Sequence, residues 1–198
     1  MQPHLFPELS GNLLPFGGEA VLYPGVFDEE ESDLLYALLQ KEIAWRQEPI
    51  KLFGKTIMQP RLTACYGDKA VGYSGIVMDV HPWTSLLNGI KNRVEAVAGT
   101  VFNSVLLNNY RDGKDSMGWH RDNEQELGCN PVIASVTFGA ERKFLLRTYA
   151  DKDHTISVTL THGSLLLMQG ECQHVWEHSV PKVKMARPRI NLTFRRIC

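Results

Sequence analysis

A histidine and an aspartate one residue apart, His120 and Asp122, stand in the stretch Gly118-Trp119-His120-Arg121-Asp122-Asn123-Glu124. On an extended strand, residues i and i+2 face the same side, so the pair would present an imidazole and a carboxylate together. Those groups are two of the three donors of a 2-His-1-carboxylate site, which holds a non-haem Fe(II) and leaves coordination positions open. A third donor is available in Gln173-His174-Val175-Trp176-Glu177-His178-Ser179. Both His174 and His178 qualify, and spacing alone does not choose between them. An isolated His-x-Asp pair is more often an ordinary polar surface pair, so its weight comes from what accompanies it.

What accompanies it is an anion site. Residues 181–198 carry Lys182, Lys184, Arg187, Arg189, Arg195 and Arg196 and no acid. Arg189, Asn191, Thr193 and Arg195 are spaced by two and line one face of a strand. Two guanidinium forks with an amide and a hydroxyl between them can grip a dicarboxylate bidentately. Ile190, Leu192 and Phe194 would then face the core. The competing reading of this segment is a solvated basic edge strand.

The elements that must position these groups are legible in outline. Ala20-Val21-Leu22-Tyr23 is a short strand. Asp28-Glu29-Glu30-Glu31 caps a helix whose stripe is Leu34, Leu35, Leu38, Leu39 and Ile43. Residues 49–57 form a hairpin with Phe53-Gly54 at its tip, and 60–66 form another strand, followed by a loop from Gly67 to Gly75. Trp83, Leu86, Leu87, Ile90, Val94 and Val97 mark a second helix that Gly99 stops. From there the pattern changes to strands at 104–110, 131–138, 142–149, 155–160, 163–168, 173–178 and 189–196. Two helices followed by this run of strands predict an α+β fold, with the helices packed on one face of a jelly roll (double-stranded β-helix).

Composition bounds the rest. A chain of 198 residues is expected to form a single domain, residues 1–100 carrying the helices and recognition hairpin and 101–198 the jelly-roll core. With 43% hydrophobic and 22% charged residues it reads as an ordinary soluble protein. A net charge of −1 does not announce a nucleic-acid binder, although a local basic patch suffices for one. Cys65, Cys129, Cys172 and Cys198 lack Cys-x-x-Cys spacing and are expected as reduced thiols. No signal peptide is read at the start, and no apolar run is long enough to span a bilayer. The expected location is intracellular: cytoplasmic in a bacterium, nuclear in a eukaryote.

As a set, several segments resemble the AlkB family of Fe(II)- and 2-oxoglutarate-dependent dioxygenases. They are Asn108-Asn109-Tyr110-Arg111-Asp112-Gly113, His120-x-Asp122, Ala134-Ser135-Val136-Thr137-Phe138-Gly139, His162-Gly163-Ser164-Leu165-Leu166-Leu167-Met168, His178-Ser179-Val180-Pro181 and Pro188-Arg189-Ile190-Asn191-Leu192-Thr193-Phe194-Arg195. The likeness runs in order from about residue 50 to 197 and looks nearest to the members that act on duplex DNA. It implies Fe(II), 2-oxoglutarate and O2 as cofactor and co-substrates. It also implies oxidative removal of N-methyl groups from bases such as 1-methyladenine and 3-methylcytosine, with release of formaldehyde, succinate and CO2. By the resemblance the distal iron ligand is His178, in its His-Ser-x-Pro segment, beside His120 and Asp122. Asn108 and Tyr110 would bind 2-oxoglutarate, Arg189 would pair with its distal carboxylate, Thr193 and Arg195 would finish the pocket, and Asn191 would support it. Arg147 follows a family pattern of a basic residue ending its strand, with its role left open, and Trp119 is given no role.

On the substrate side, a base inside a duplex must be flipped out to reach a buried metal. Phe53, with Gly54 and Lys55, resembles the wedge that fills the resulting gap. Tyr73 and His120 would sandwich the base with Ser74 beside it, although Val71 stands where relatives often have an aromatic. Asn123 and Glu124 would meet the base edge, a carboxylate suiting a cationic lesion. The expected partner is alkylated DNA, duplex favoured and single strands possible, acted on by a monomer without membrane association. The rival readings are an RNA or protein oxygenase and a non-catalytic reader of methylated nucleic acid.

Overall fold

The computed structural model describes residues 11–52, 55–68, 72–73, 76–77 and 79–198. In chain order the elements are β1 (Glu19–Tyr23), α1 (Glu29–Glu42), β2 (Pro49–Leu52), β3 (Lys55–Met58), β4 (Leu62–Gly67), β5 (Gly72–Tyr73), β6 (Ile76–Val77), β7 (Val80–His81) and α2 (Ser85–Ala98). They continue with β8 (Ser104–Tyr110), β9 (Met117–His120), β10 (Ile133–Gly139), β11 (Arg142–Thr148), β12 (Thr155–Leu160), β13 (Ser164–Gln169), α3 (Cys172–Val175), β14 (Trp176–Val180) and β15 (Arg189–Arg195). No helix among the described residues is long and apolar enough to cross a membrane.

Both long helices are closed by side chains that their sequences provide. Asp28 accepts the Glu31 N–H at 2.8 Å and sits at the N-terminus of α1 beside Glu29 and Glu30, where the helix dipole favours acids. Thr84 caps α2 by accepting the Leu87 N–H at 3.2 Å. Gly99 ends α2 in the left-handed region at φ 65°, a conformation that costs glycine nothing.

Two sheets stack into a double-stranded β-helix. The major sheet runs β1-β13-β10-β15-β8-β4-β7 over seven strands, and the minor sheet runs β12-β11-β14-β9 over four. Side-chain alternation assigns the faces of the major sheet. Val105, Leu107, Val136, Phe138, Leu165, Leu167, Ile190, Leu192 and Phe194 pack against Leu39, Ile43, Leu87, Ile90 and Val94 of the two helices. The opposite face meets Phe144, Leu146, Trp176 and Val180 of the minor sheet through Ile133, Leu166 and Met168. Leu87 is fully buried, and its truncation to Ala should cost about 2–5 kcal/mol.

The α+β class and the jelly roll agree with the sequence reading, and so do most boundaries. β15 lies between β10 and β8 with all seven of its residues buried, against the competing reading of a solvated edge strand. Two details differ. First, residues 173–178 are not one strand. Cys172–Val175 form a helical turn and Trp176–Val180 form β14, so His174 and His178 do not share a face. Second, the strand carrying His120 ends there, and Asp122 follows in a loop. Asp122 is held near His120 by its own contacts and not by strand alternation.

Candidate active site

Pairing of β9 with β14 sets His120 directly opposite His178. Their rings are 4.3 Å apart between centroids and inclined at 64°. Asp122 reaches the same point from the loop. Its backbone N–H donates to Gln173 Oε1 at 2.9 Å, and its carboxylate accepts from Arg195 Nη2 at 2.7 Å. One donor atom from each of His120, Asp122 and His178 lies within 4.8 Å of the others. His174 is exposed, on the short helix whose buried Gln173 fixes Asp122.

Electrostatics prepare these groups as ligands. Burial lowers the pKa of His178 to about 3 and also lowers that of His120, so both imidazoles are neutral at pH 7 with a lone pair to give. His120 Nδ1 lies 2.9 Å from the Gly118 carbonyl, which can only accept, so the proton sits on Nδ1 and Nε2 is free. Burial alone would raise the Asp122 carboxyl. The charge of Arg195 leads the opposing effects and holds it at about 2. His178 Nδ1 is buried and has no hydrogen-bond partner among the described residues. Two neutral imidazoles and one ionised carboxylate, converging and not fully satisfied, fit a divalent metal such as Fe(II).

Beside them lies the expected anion pocket. Arg189 is 1% exposed and donates from Nη2 to Thr137 Oγ1 at 2.8 Å. Its Nε and Nη1 find no acceptor in hydrogen-bond geometry among the described residues. Burial lowers its pKa to about 10, which still leaves it charged at neutral pH. The Tyr110 ring lies 5.2 Å from its Cζ. A buried cation without a carboxylate is costly, and a bound carboxylate supplies the missing partner. Asn191 donates to Ser135 Oγ at 2.7 Å and to the Val136 carbonyl at 3.1 Å, and accepts from Thr193 Oγ1 at 3.0 Å. Asn108 accepts from Arg61 Nε at 2.6 Å. One cavity is lined by all nine residues expected to hold metal or 2-oxoglutarate: Asn108, Tyr110, His120, Asp122, His178, Arg189, Asn191, Thr193 and Arg195.

The substrate-side expectations are less unified. Phe53, Gly54 and Ser74 lie outside the described residues, as do the side chains of Lys55 and Tyr73. Asn123 is exposed and Glu124 half-buried in the loop after Asp122, and neither lines this cavity or the cleft described next. Burial raises the Glu124 carboxyl, and its Oε2 has no partner among the described residues. A cleft of about 310 Å³ runs between the hairpin side chains Ile50 and Ile57 and the strand Met117–His120, with Gln59 and Arg61 in its wall. Met117 and His120 border both this cleft and the metal cavity. Sequence reasoning gave Gln59 and Arg61 no role, because a single polar residue at the start of a strand carries no pattern.

Trp119 and Arg147, whose roles the family resemblance leaves open, stack on each other with the guanidinium carbon 3.9 Å from the ring. Arg147 also donates to Glu177 at 2.6 Å, so it ties β9 to the neighbour of His178.

Comparison with known proteins agrees with this geometry. The family model for the 2OG-Fe(II) oxygenase superfamily matches residues 19–195. The chain is 42% identical over 200 residues to the human protein "Alpha-ketoglutarate-dependent dioxygenase alkB homolog 3", covering 94% of this chain and 69% of that one. It is 38% identical over 188 residues to human "DNA oxidative demethylase ALKBH2", covering 88% and 72%. The Arabidopsis thaliana protein named "DNA oxidative demethylase ALKBH2" is 35% identical over 212 residues, covering 92% and 67%. A solved structure of OsALKBH1 superposes with a TM-score of 0.64 at 15% identity, over 92% of this chain and 99% of that one, which supports the fold. Family, fold and donor set agree on Fe(II), 2-oxoglutarate and O2. The chain belongs to the AlkB family of Fe(II)- and 2-oxoglutarate-dependent dioxygenases.

Proposed function

We propose that this dioxygenase repairs DNA by removing N-methyl groups from bases of the 1-methyladenine and 3-methylcytosine type. The observation that carries the reading is the shared wall: His120 belongs at once to the metal cavity and to a cleft large enough for a nucleobase. The human and Arabidopsis thaliana relatives named DNA oxidative demethylase ALKBH2 support the same substrate class.

His120, Asp122 and His178 would hold Fe(II), which when bound supplies the activation of O2, coupled to oxidation of 2-oxoglutarate. Arg189 would take the distal carboxylate of 2-oxoglutarate, with Tyr110 and Asn108 beside it. Arg195 keeps Asp122 ionised and aimed. Leu106, Met117, Phe144, Met168 and Val180 would supply the apolar part of the cavity wall. Once its methyl carbon is oxidised, the base loses it as formaldehyde, and succinate and CO2 are the other products.

Duplex DNA is the favoured substrate in this reading, with single strands as a second. Ile57 and Met58, on the strand that leaves the hairpin tip, are 41% and 51% exposed, which suits an apolar wedge at Phe53-Gly54-Lys55. Tyr73, Ser74, Asn123 and Glu124 complete the proposed substrate contacts. The enzyme would act as a monomer on intracellular DNA.

The test is incubation with Fe(II), ascorbate, 2-oxoglutarate and methylated oligonucleotides, duplex and single-stranded DNA beside RNA, with products read by mass. Loss of about 14 mass units (one CH2) from methylated DNA, with matching succinate, is the expected result. Succinate formation without loss of mass from any DNA would overturn the DNA assignment.

A further inference from the structure

The wall of the cleft beside His120 includes Gln59, a buried side chain whose acceptor is unpaired among the described residues. Gln59 is 1% exposed, and its main chain is pinned on both sides. Its N–H donates to the Glu48 carbonyl at 2.9 Å, and its carbonyl accepts from Gln47 Nε2 at 2.8 Å. The side chain is different: its oxygen is buried and meets no donor among the described residues. Its neighbour Arg61 has already committed Nε to Asn108 and Nη1 to the Ser116 carbonyl. A buried acceptor left unpaired is destabilising, and such groups persist where a ligand pairs them.

We propose that Gln59 is a specificity-determining residue whose carboxamide accepts a hydrogen bond from the exocyclic amine of the flipped base. The proposal rests on the demethylase reading and deepens it. In 1-methyladenine and 3-methylcytosine, an amino group sits on the carbon next to the methylated ring nitrogen. In 3-methylthymine, carbonyl oxygens sit on both carbons next to the methylated nitrogen, and a carbonyl can only accept. No hydrogen bond of the described residues fixes the Gln59 side-chain oxygen, so the amide can turn it toward the base. 1-Methyladenine and 3-methylcytosine are cations, and their N–H donors make charge-assisted bonds that neutral 3-methylthymine cannot. Gln59 therefore favours the amine-bearing pair. Its placement suits that role, because the cleft wall that carries it is continuous with His120, where the methyl group must arrive.

The experiment compares 3-methylcytosine with 3-methylthymine in one oligonucleotide context, using the Fe(II)- and 2-oxoglutarate-loaded enzyme. Gln59→Leu removes both polar atoms at nearly constant volume, and Gln59→Glu keeps only acceptors. Expected is a fall of about ten-fold or more in the kcat/KM ratio of 3-methylcytosine to 3-methylthymine for Q59L. Q59E should keep or raise the ratio. Succinate formed without DNA, together with the melting temperature, reports whether each variant keeps an intact metal and co-substrate site. A ratio unchanged in Q59L, or lowered equally in Q59E, overturns the proposal. If neither variant folds, wild-type enzyme decides: equal kcat/KM on the two lesions leaves no amine reader to find. Wild-type enzyme that demethylates neither lesion sinks the demethylase reading itself, and this proposal with it.

Discussion

Arg195 and Asp122 form a buried ion pair, Nη2 to Oδ1 at 2.7 Å, with side chains only 5% and 2% exposed. The pair joins the last residue of the central strand to the carboxylate of the metal site, so one arginine determines both the charge and the aim of a ligand. Arg195→Ala should weaken Mn(II) binding by roughly 10–100-fold, the usual cost of losing a partner that orients a metal ligand. Calorimetric titration of the metal-free protein measures it. An unchanged Kd would mean that Gln173 alone positions Asp122.

The ligands themselves predict a sharper pattern. His120→Ala, Asp122→Ala and His178→Ala should each abolish turnover, because each removes one of three converging donors. His174→Ala should remain active, since that residue is exposed on the neighbouring turn. Succinate release on a methylated oligonucleotide is the readout. Full loss in His174→Ala with activity kept in His178→Ala would reverse the assignment.

For the co-substrate, Arg189→Ala removes the buried cation that has unused donors. The effect should fall on 2-oxoglutarate and not on DNA, at a cost of roughly 2–5 kcal/mol for a desolvated charged pair. Initial rates at varied 2-oxoglutarate measure it. An unaltered KM for 2-oxoglutarate would place its distal carboxylate elsewhere.

Acid should destabilise the metal-free protein through the same residues. His178 has a folded pKa of about 3, below the value near 6.5 of an unfolded histidine. Below pH ~6.5 the unfolded chain therefore takes up a proton that the folded chain refuses. Stability is full above that pH and declines as pH falls toward about 3. Asp122, held at about 2, extends the loss to lower pH. The melting temperature of metal-free protein should be lower at pH ~5 than at pH ~7.5, and His178→Asn should flatten the difference. Parallel pH curves for the two proteins would remove His178 as a cause.

The parts of this molecule that a sequence shows are those where one side chain's type reports one environment. The alternation in Arg189–Arg195 is such a case: polar residues line the cavity and apolar residues face the helices. Asp28 and Gly99 likewise mark helix ends through local chemistry. Asp122 is legible for a reason that the fold does not use, because strand periodicity stops at His120 and long-range contacts to Gln173 and Arg195 take over. The position of β15 inside the sheet is equally non-local: its alternation marks two faces, but only its pairing with β10 and β8 makes it a central strand. Trp119 and Arg147 meet only through the register of β9 against β14 and of β14 against β11, which no local pattern encodes.

Phe53 provides the last prediction, which separates duplex from single-strand action. Extruding a base from a duplex forfeits stacking and pairing worth a few kcal/mol, and an aromatic wedge offsets part of that loss. A single strand has little to forfeit, so the wedge contributes little there. Phe53→Ala should lower kcat/KM on a methylated duplex by about ten-fold or more, since ~1.4 kcal/mol is a factor of ten. The same lesion in a single strand should be turned over at nearly the wild-type rate, with an unchanged melting temperature. Rates on both substrates, measured beside a melting curve, decide the matter. Equal losses on both, with a lower melting temperature, would make Phe53 a packing residue and remove the chief support for duplex action.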